Sequence, residues 1–304
     1  MSQSKWAVVV PSNRPESLAQ FEIAWDDLFD LHEVTLYRVI DAAPWRDVPA
    51  FIPRCTDMIR SWGFYRAWAD GADYIMSLDD DVRPCGDLFY EYETVFDTPQ
   101  PCSPYLSVGT FTDTGHEMRG FPYVGRTASV AVQYGGWHGV PDLDAVTQLN
   151  DPGIRGNFTA QVMPVPKGAP TTCCAMNFAF RTDYTPLMWQ LPLHNGLYNR
   201  MGDIWSGLVA KRVLDAHGLV ACINGEASVI HQRASDPFKN LEREAPGLRI
   251  NEELWDGLCV PTDVTLTGKY RQVTDSAVRV FWKHNRDYAK HFEDCRNQWL
   301  ELFQ

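Results

Sequence analysis

Three consecutive carboxylates, Asp79, Asp80 and Asp81, close a short apolar run from Tyr74 to Leu78. Adjacent like charges oppose one another's ionisation, so such a cluster calls for a neutralising cation. Hard divalent ions take oxygen ligands, and Mn²⁺ or Mg²⁺ is held by one or two carboxylates together with substrate phosphates. The apolar run reads as a buried strand, and ligands of open α/β sheets bind outside the carboxyl ends of their strands. A strand ending in Asp-x-Asp is therefore a candidate site for a metal–diphosphate. A solvated acidic turn is the competing reading, and the triplet alone does not separate the two.

Other residues could complete such a site. His231 follows the apolar run 227–230 and precedes Arg233. A histidine at a strand end is either a hydrogen-bonded structural residue or a ligand, and with Asp79 and Asp81 it could complete a metal shell. Arg233 could then reach a diphosphate, which suits a guanidinium fork. Asp203 stands at a helix start, either as a cap or as a carboxylate facing substrate. Arg119 and Arg126, set among glycine and aromatic residues, read as an anion clamp or as ordinary surface arginines. Trp137 offers a flat apolar wall for a sugar ring, with core packing as the alternative. The pair Cys173 and Cys174 has no neighbouring histidine to activate a nucleophile and reads as buried thiols.

The elements that must position these residues follow from periodicity. Residues 6–10 form a continuous apolar run, the pattern of a strand buried on both faces. A helix follows, with Asn13 as its cap and Leu18, Phe21, Trp25 and Leu28 at helical spacing. A second strand, 34–40, ends at Asp41. Another helix starts near Thr56 or Asp57, ends near Gly71, and leads to the strand before Asp79. This β-α-β-α-β order predicts a mostly parallel, doubly wound sheet with right-handed crossovers. Further along, strands are expected at 129–132, 177–180, 219–223 and 227–230. A helix from Asp203 stops at Gly218, and one long amphipathic helix runs from Asp275 to Phe303.

Bulk properties exclude some classes. The formal charge of −12 argues against a broad electrostatic footprint for nucleic acid or anionic membrane. No stretch approaches ~18 consecutive apolar residues, and the N-terminal residues lack the pattern of a secretory signal. Eight cysteines without a Cys-x-x-Cys pair or zinc-ligand spacing predict free thiols in a cytoplasmic protein.

Taken together, several segments resemble one family. They are the DDD triplet at 79–81, MRGFP at 118–122 with Arg126 beyond it, and GWHGVPDLDAVTQL at 136–149. PKG at 166–168, CAMNFAF at 174–180, GDIWSG at 202–207 and HQRASDPFKNL at 231–241 complete the set. In this order, over roughly residues 5 to 245, they look like the reversibly glycosylated polypeptides, the UDP-arabinopyranose mutases.

The resemblance implies a glycosyltransferase-A-like core over residues 1–250, with residues 251–304 as a helical extension packed on it. It also implies a UDP-sugar substrate and Mn²⁺ or Mg²⁺ as cofactor. Asp79, Asp80 and Asp81 become the metal–diphosphate motif, with His231 a metal ligand and Arg233 a phosphate contact. Arg119 matches the arginine that the family glycosylates reversibly on itself, and Arg126 a second arginine needed for activity. Asp203 is the carboxylate expected to take a proton, with Asp142 and Asp144 behind it. Asp41, Trp137 and Asn177 complete the candidate substrate contacts. Three positions depart from plant members: Gly202, Arg233 and Tyr134 stand where those carry Asp, Lys and His. The expected reaction interconverts pyranose and furanose forms of UDP-arabinose. The alternatives are a transferase acting on a glycan or modified nucleic-acid base, and a self-glycosylated scaffold. Plant relatives assemble with one another, so self-association is also expected.

Overall fold

The structure, a computed structural model, describes residues 4–40, 48–52, 56–102, 119, 127–159, 161–192, 194, 196–198 and 200–304. The strands are β1 (Trp6–Ser12), β2 (Thr35–Ile40), β3 (Tyr74–Leu78), β4 (Val82–Pro84), β5 (Gln100–Pro101), β6 (Thr127–Ala128), β7 (Val130–Gly139), β8 (Gly156–Asn157), β9 (Val162–Pro164), β10 (Asn177–Arg181) and β11 (Val220–His231). Among the described residues, one sheet runs in the order β2-β1-β3-β10-β7-β11-β4, with β8 beside β7 and β9 beside β11, while β5 and β6 pair with each other. Strands β1, β2 and β3 are parallel to one another, and β7 is parallel to β11. Strand β10 runs antiparallel to both β3 and β7, so those two point the same way. The mostly parallel, doubly wound sheet expected from the sequence is present.

The apolar runs are explained by cover on both faces. Along β1, Ala7 and Val9 face one hydrophobic cluster and Trp6, Val8 and Val10 the other, the two-residue alternation of a strand. One face packs on α1 (Pro15–Leu31) and α3 (Leu88–Asp97) through Phe21, Trp25, Phe89 and Tyr92. The other packs on α2 (Arg60–Ala69) and, beyond the short α4 (Ala145–Asn150), on α5 (Gly202–His217). Burying one large apolar side chain contributes roughly 1.5–3 kcal/mol. Trp6, Trp25, Trp189, Trp205 and Trp299 are all nearly inaccessible to solvent.

The chain leaves β1 through α1 to β2 on one side and returns through α2 to β3 on the other. The strand order therefore reverses between β1 and β3, and their carboxyl ends open a crevice at this point. Around it stand α6 (Pro237–Leu248) and α7 (Asn251–Gly257).

Three local expectations are corrected. The first position before α1 is Arg14 rather than Asn13, and it makes no side-chain cap because a guanidinium can only donate; it is turned to the acidic triplet instead. The two strands expected at 219–223 and 227–230 are one strand, β11. An irregularity after Asn224 interrupts its pairing with β7, where the Asn224 Oδ1 accepts from the backbone N–H groups of Glu226 and Ala227. The long C-terminal helix is a pair, α8 (Leu266–His284) and α9 (Arg286–Glu301). Extended Asn285 breaks it (φ −155°), and its side chain caps α9 by accepting from Tyr288 N–H at 2.8 Å. Phe281, Tyr288 and Phe292 of this pair stack with Tyr198, Trp205 and Trp189, in the same core as the sheet. Among the described residues, no helix is long and apolar enough to cross a membrane.

Candidate functional site

The parallel strands deliver polar residues to one edge. β1 ends at Ser12 and Arg14, β3 at the acidic triplet, β7 at Val140 to Asp142, and β11 at His231 to Arg233. Antiparallel β10 brings its entrance, Cys174 to Met176, to the same place. A cavity of about 580 Å³ opens there, lined by Asp79, Asp81, Asp142, Asp144, Asp203 and His231 among others.

The triplet divides in two. Asp79 and Asp81 line the cavity, while Asp80 lies outside its lining and is 3% exposed. Asp80 accepts from the Ser12 hydroxyl and the Arg14 guanidinium. Burial nevertheless pushes its pKa up. The Ser17 hydroxyl donates to the Asp80 carbonyl at 3.0 Å, fastening α1 to the turn. Asp79 accepts at 2.6 Å from Arg60, which is itself buried and donates to Ser77 Oγ and the Ala175 carbonyl. Asp81 accepts from Arg233 at 3.0 Å and Arg14 at 3.2 Å. Burial acts upward on Asp81 too, but Arg233, Arg14 and the nearby His231 together hold it below the usual carboxylate range.

His231 reaches the triplet because its strand position pairs with Val82 of β4, one residue past Asp81. Its Nδ1–H donates to the Val140 carbonyl at 2.7 Å, and the Val140 N–H donates back to the His231 carbonyl at 2.8 Å. A carbonyl can only accept, so this bond places the proton on Nδ1; in the neutral ring the lone pair is then on Nε2, which stands 4.0 Å from Asp81 Oδ1. Gly139 permits the wrap: its φ is +98°, and a Cβ there would strike the His231 carbonyl oxygen.

A second group of the lining is carboxylate-rich. Asp203 lies in the first turn of α5, beyond the cap position, and faces the cavity; its Oδ2 accepts from Ala175 N–H at 3.0 Å. Asp142 accepts from the Cys174 thiol at 3.0 Å and stands 3.7 Å from Arg200. Burial, reinforced by the Asp142 carboxylate, pushes the Cys174 thiol far up, in keeping with an inert thiol. Asp144 lines the rim and caps α4, accepting from the Thr147 N–H at 3.0 Å and the Thr147 hydroxyl at 2.6 Å.

The remaining expected residues are not gathered here. Trp137 lies outside the lining and packs edge-on against Phe158, with ring centres 5.6 Å apart. Asn177 is buried between strands, accepting from the Tyr92 hydroxyl and donating to the Gly136 and Ala227 carbonyls. Asn177 is thus enclosed by its strand partners, whereas Trp137 stays partly accessible beside Phe158. Arg119 is exposed and outside the described lining, and Asp41 and Arg126 lie outside the described residues.

Conversely, Arg14, Arg60, Arg200 and Glu244 were not picked out by sequence reasoning. Arg14 lies two residues past the end of β1 and Arg60 opens α2, so the sheet-edge rule that marked Asp79 could have marked them. Arg200 and Glu244 meet only through the tertiary fold.

Among the described residues, no three His, Cys, Asp or Glu side chains gather closely enough to hold a metal by themselves. Asp81 and His231 fit as a pair, a carboxylate beside an imidazole whose second nitrogen is anchored to a carbonyl, as histidine ligands commonly are. Such a pair leaves the rest of a coordination shell to phosphate oxygens and water, the usual condition for Mg²⁺ and Mn²⁺.

The cavity residues all fall within the part of the chain, residues 56–304, that matches the model of the reversibly glycosylated polypeptide family. UDP-arabinopyranose mutase 2 of Arabidopsis thaliana is 34% identical over 194 residues, 60% of this chain and 53% of that protein. A probable UDP-arabinopyranose mutase 1 of Zea mays is 32% identical over 246 residues, 76% of this chain and 67% of that protein. The chain thus spans about half the length of the first relative and two thirds of the second. A crystal structure of a glycosyltransferase involved in glycosylation of the major capsid of PBCV-1 aligns over 78% of this chain and 97% of its own. Its TM-score is 0.36 and its identity 10%, a likeness too slight to bear on function. On the extent of the family match, this chain belongs to the reversibly glycosylated polypeptide family.

Proposed function

We propose that this protein is a metal-dependent UDP-sugar enzyme that interconverts the pyranose and furanose forms of UDP-arabinose. The observation that carries the reading is the convergence of Asp81, His231 and Arg233 beside Asp79 at the switch point of the sheet. Its relatives' names, UDP-arabinopyranose mutase, supply the sugar and the reaction.

In this account Asp81 and His231 would hold Mn²⁺ or Mg²⁺, with Asp79 alongside, and the bound ion would supply positive charge for the diphosphate of the departing UDP. Arg233, mostly exposed, exchanges its bond to Asp81 for the diphosphate, a partner suited to its fork. Arg60 fixes the Asp79 carboxylate in the wall. The anomeric carbon gains positive character as its bond to UDP breaks, and Asp142 and Asp203 offer negative charge in the lining. Arg119 is the acceptor of the self-glycosylation step: the sugar leaves UDP, a carbon–nitrogen bond forms, and the guanidinium proton passes to a carboxylate, with Asp203 the candidate. The reverse step returns the sugar to UDP after its ring has opened and reclosed. Free cysteines throughout the described residues suit a reducing, cytoplasmic setting.

The test is purified protein with Mn²⁺ and UDP-arabinopyranose, products separated by chromatography, with Arg119→Ala alongside. The furanose form is expected, and both chelation and Arg119→Ala abolish it. Release of UDP that needs an added acceptor and survives Arg119→Ala overturns the mutase reading in favour of a transferase.

A further inference from the structure

The segment entering α5 is held in an unusual backbone conformation. Gly196, Tyr198 and Arg200 have φ of +76°, +58° and +67°. Outside glycine, such a backbone persists only where its surroundings fix it, and it recurs where a side chain must be aimed. At Arg200 the fixing group is Glu244 on α6. Glu244 is 3% exposed and uses both oxygens, one accepting from Arg200 Nε at 2.8 Å and the other from the Ala145 backbone N–H at 2.8 Å. Buried carboxylates need such partners, and here the partnership ties α6, the start of α4 and Arg200 together.

With Nε engaged, the Arg200 Nη2 faces Asp142 Oδ1 at 3.7 Å, a charge pair too long for a hydrogen bond. Asp142 is itself oriented by the Cys174 thiol on its other oxygen. Both residues line the cavity and keep about a third of their side chains accessible. A fixed donor and a fixed acceptor thus stand side by side without satisfying each other. A hydroxyl fits this pattern because it accepts and donates at once. A phosphate does not, because Asp142, Asp203 and Glu244 surround the guanidinium with negative charge.

We infer that Arg200 is a specificity-determining residue that reads a sugar hydroxyl jointly with Asp142, while Glu244 positions it. Arg200 donates to the hydroxyl oxygen and Asp142 accepts the hydroxyl proton. This rests on the UDP-sugar reading and adds which group of the sugar's surface the protein grips and with what.

The test compares UDP with UDP-arabinopyranose by titration calorimetry in Mn²⁺, on wild type, Arg200→Lys, Asp142→Asn and the double variant, with melting temperatures recorded. Lysine keeps the charge but cannot serve Glu244 and the sugar together. Wild type is expected to bind the nucleotide sugar more tightly than UDP. Each single variant lowers affinity for the nucleotide sugar by roughly 10-fold or more, leaves UDP within about 2-fold, and the double variant loses little further. If Arg200→Lys does not fold, Asp142→Asn with the same split between the ligands carries the result. Parallel losses for both ligands, or no loss for either, overturn the inference. Wild type that binds UDP and gains nothing from the sugar overturns the inference alone, whereas wild type that binds neither ligand overturns the UDP-sugar reading beneath it.

Discussion

Asp80 and Asp81 are neighbours in sequence with different work. Asp80 turns into the protein, where burial raises its pKa and Ser12 and Arg14 hold it as an anchor for the first helix. Asp81 turns to the cavity. Burial opposes its charge there, but Arg233, Arg14 and His231 outweigh that and lower its pKa. A carboxylate whose folded pKa is depressed contributes stability that is present above its unfolded pKa and lost as pH falls through the folded value. The stability difference between wild type and Asp81→Asn, from denaturant melts at stepped pH, should therefore be steady from about pH 7 to about pH 5. It should shrink below about pH 4, near the unfolded carboxylate pKa. A difference that grows on acidification would contradict this assignment of the charge.

The elements explain what the sequence could and could not reveal. Strands β1 and β3 were legible because burial on both faces makes an unbroken apolar run, and the polar residues that follow must then lie at the sheet edge. Asp81, His231 and Arg233 were expected at that edge on this ground, and the structure brings them together there. The surroundings of Asn177 and Trp137 were not legible because amide and indole groups suit a ligand and a core equally, and only the facing strands fix where they lie. The Arg200–Glu244 pair joins residues 44 positions apart across two elements, and no local pattern marks it. The helix break was hidden for a related reason: the apolar spacing from Val278 to Leu302 continues across Asn285, so periodicity alone runs two helices together. The cap at Asn285 should be worth about 1 kcal/mol. Asn285→Ala is accordingly expected to lower the melting temperature by about 1–2 °C in scanning calorimetry, with UDP affinity unchanged. An unchanged melting temperature would mean that packing between the helices, rather than the cap, sets the break.

At the scale of the whole molecule, the proposed function asks an acidic protein to bind an anionic nucleotide. The formal charge is −12, and carboxylates outnumber basic side chains in the cavity lining. Arg60 and Arg200 are already engaged by Asp79 and Glu244, so the guanidinium groups do not by themselves offset that surplus. On the proposed reading, a divalent ion at Asp81 and His231 would supply the missing positive charge where the diphosphate would lie. The switch point of the sheet gives the crevice, family membership gives the reaction class to test, and the ion links the two. The most direct measurement is titration of UDP into the protein with Mn²⁺ and with a chelator, repeated on Asp81→Asn. The account predicts binding that weakens by at least about 10-fold without the metal, and a similar loss in Asp81→Asn even with Mn²⁺ present. UDP binding indifferent to both the metal and Asp81 would contradict it.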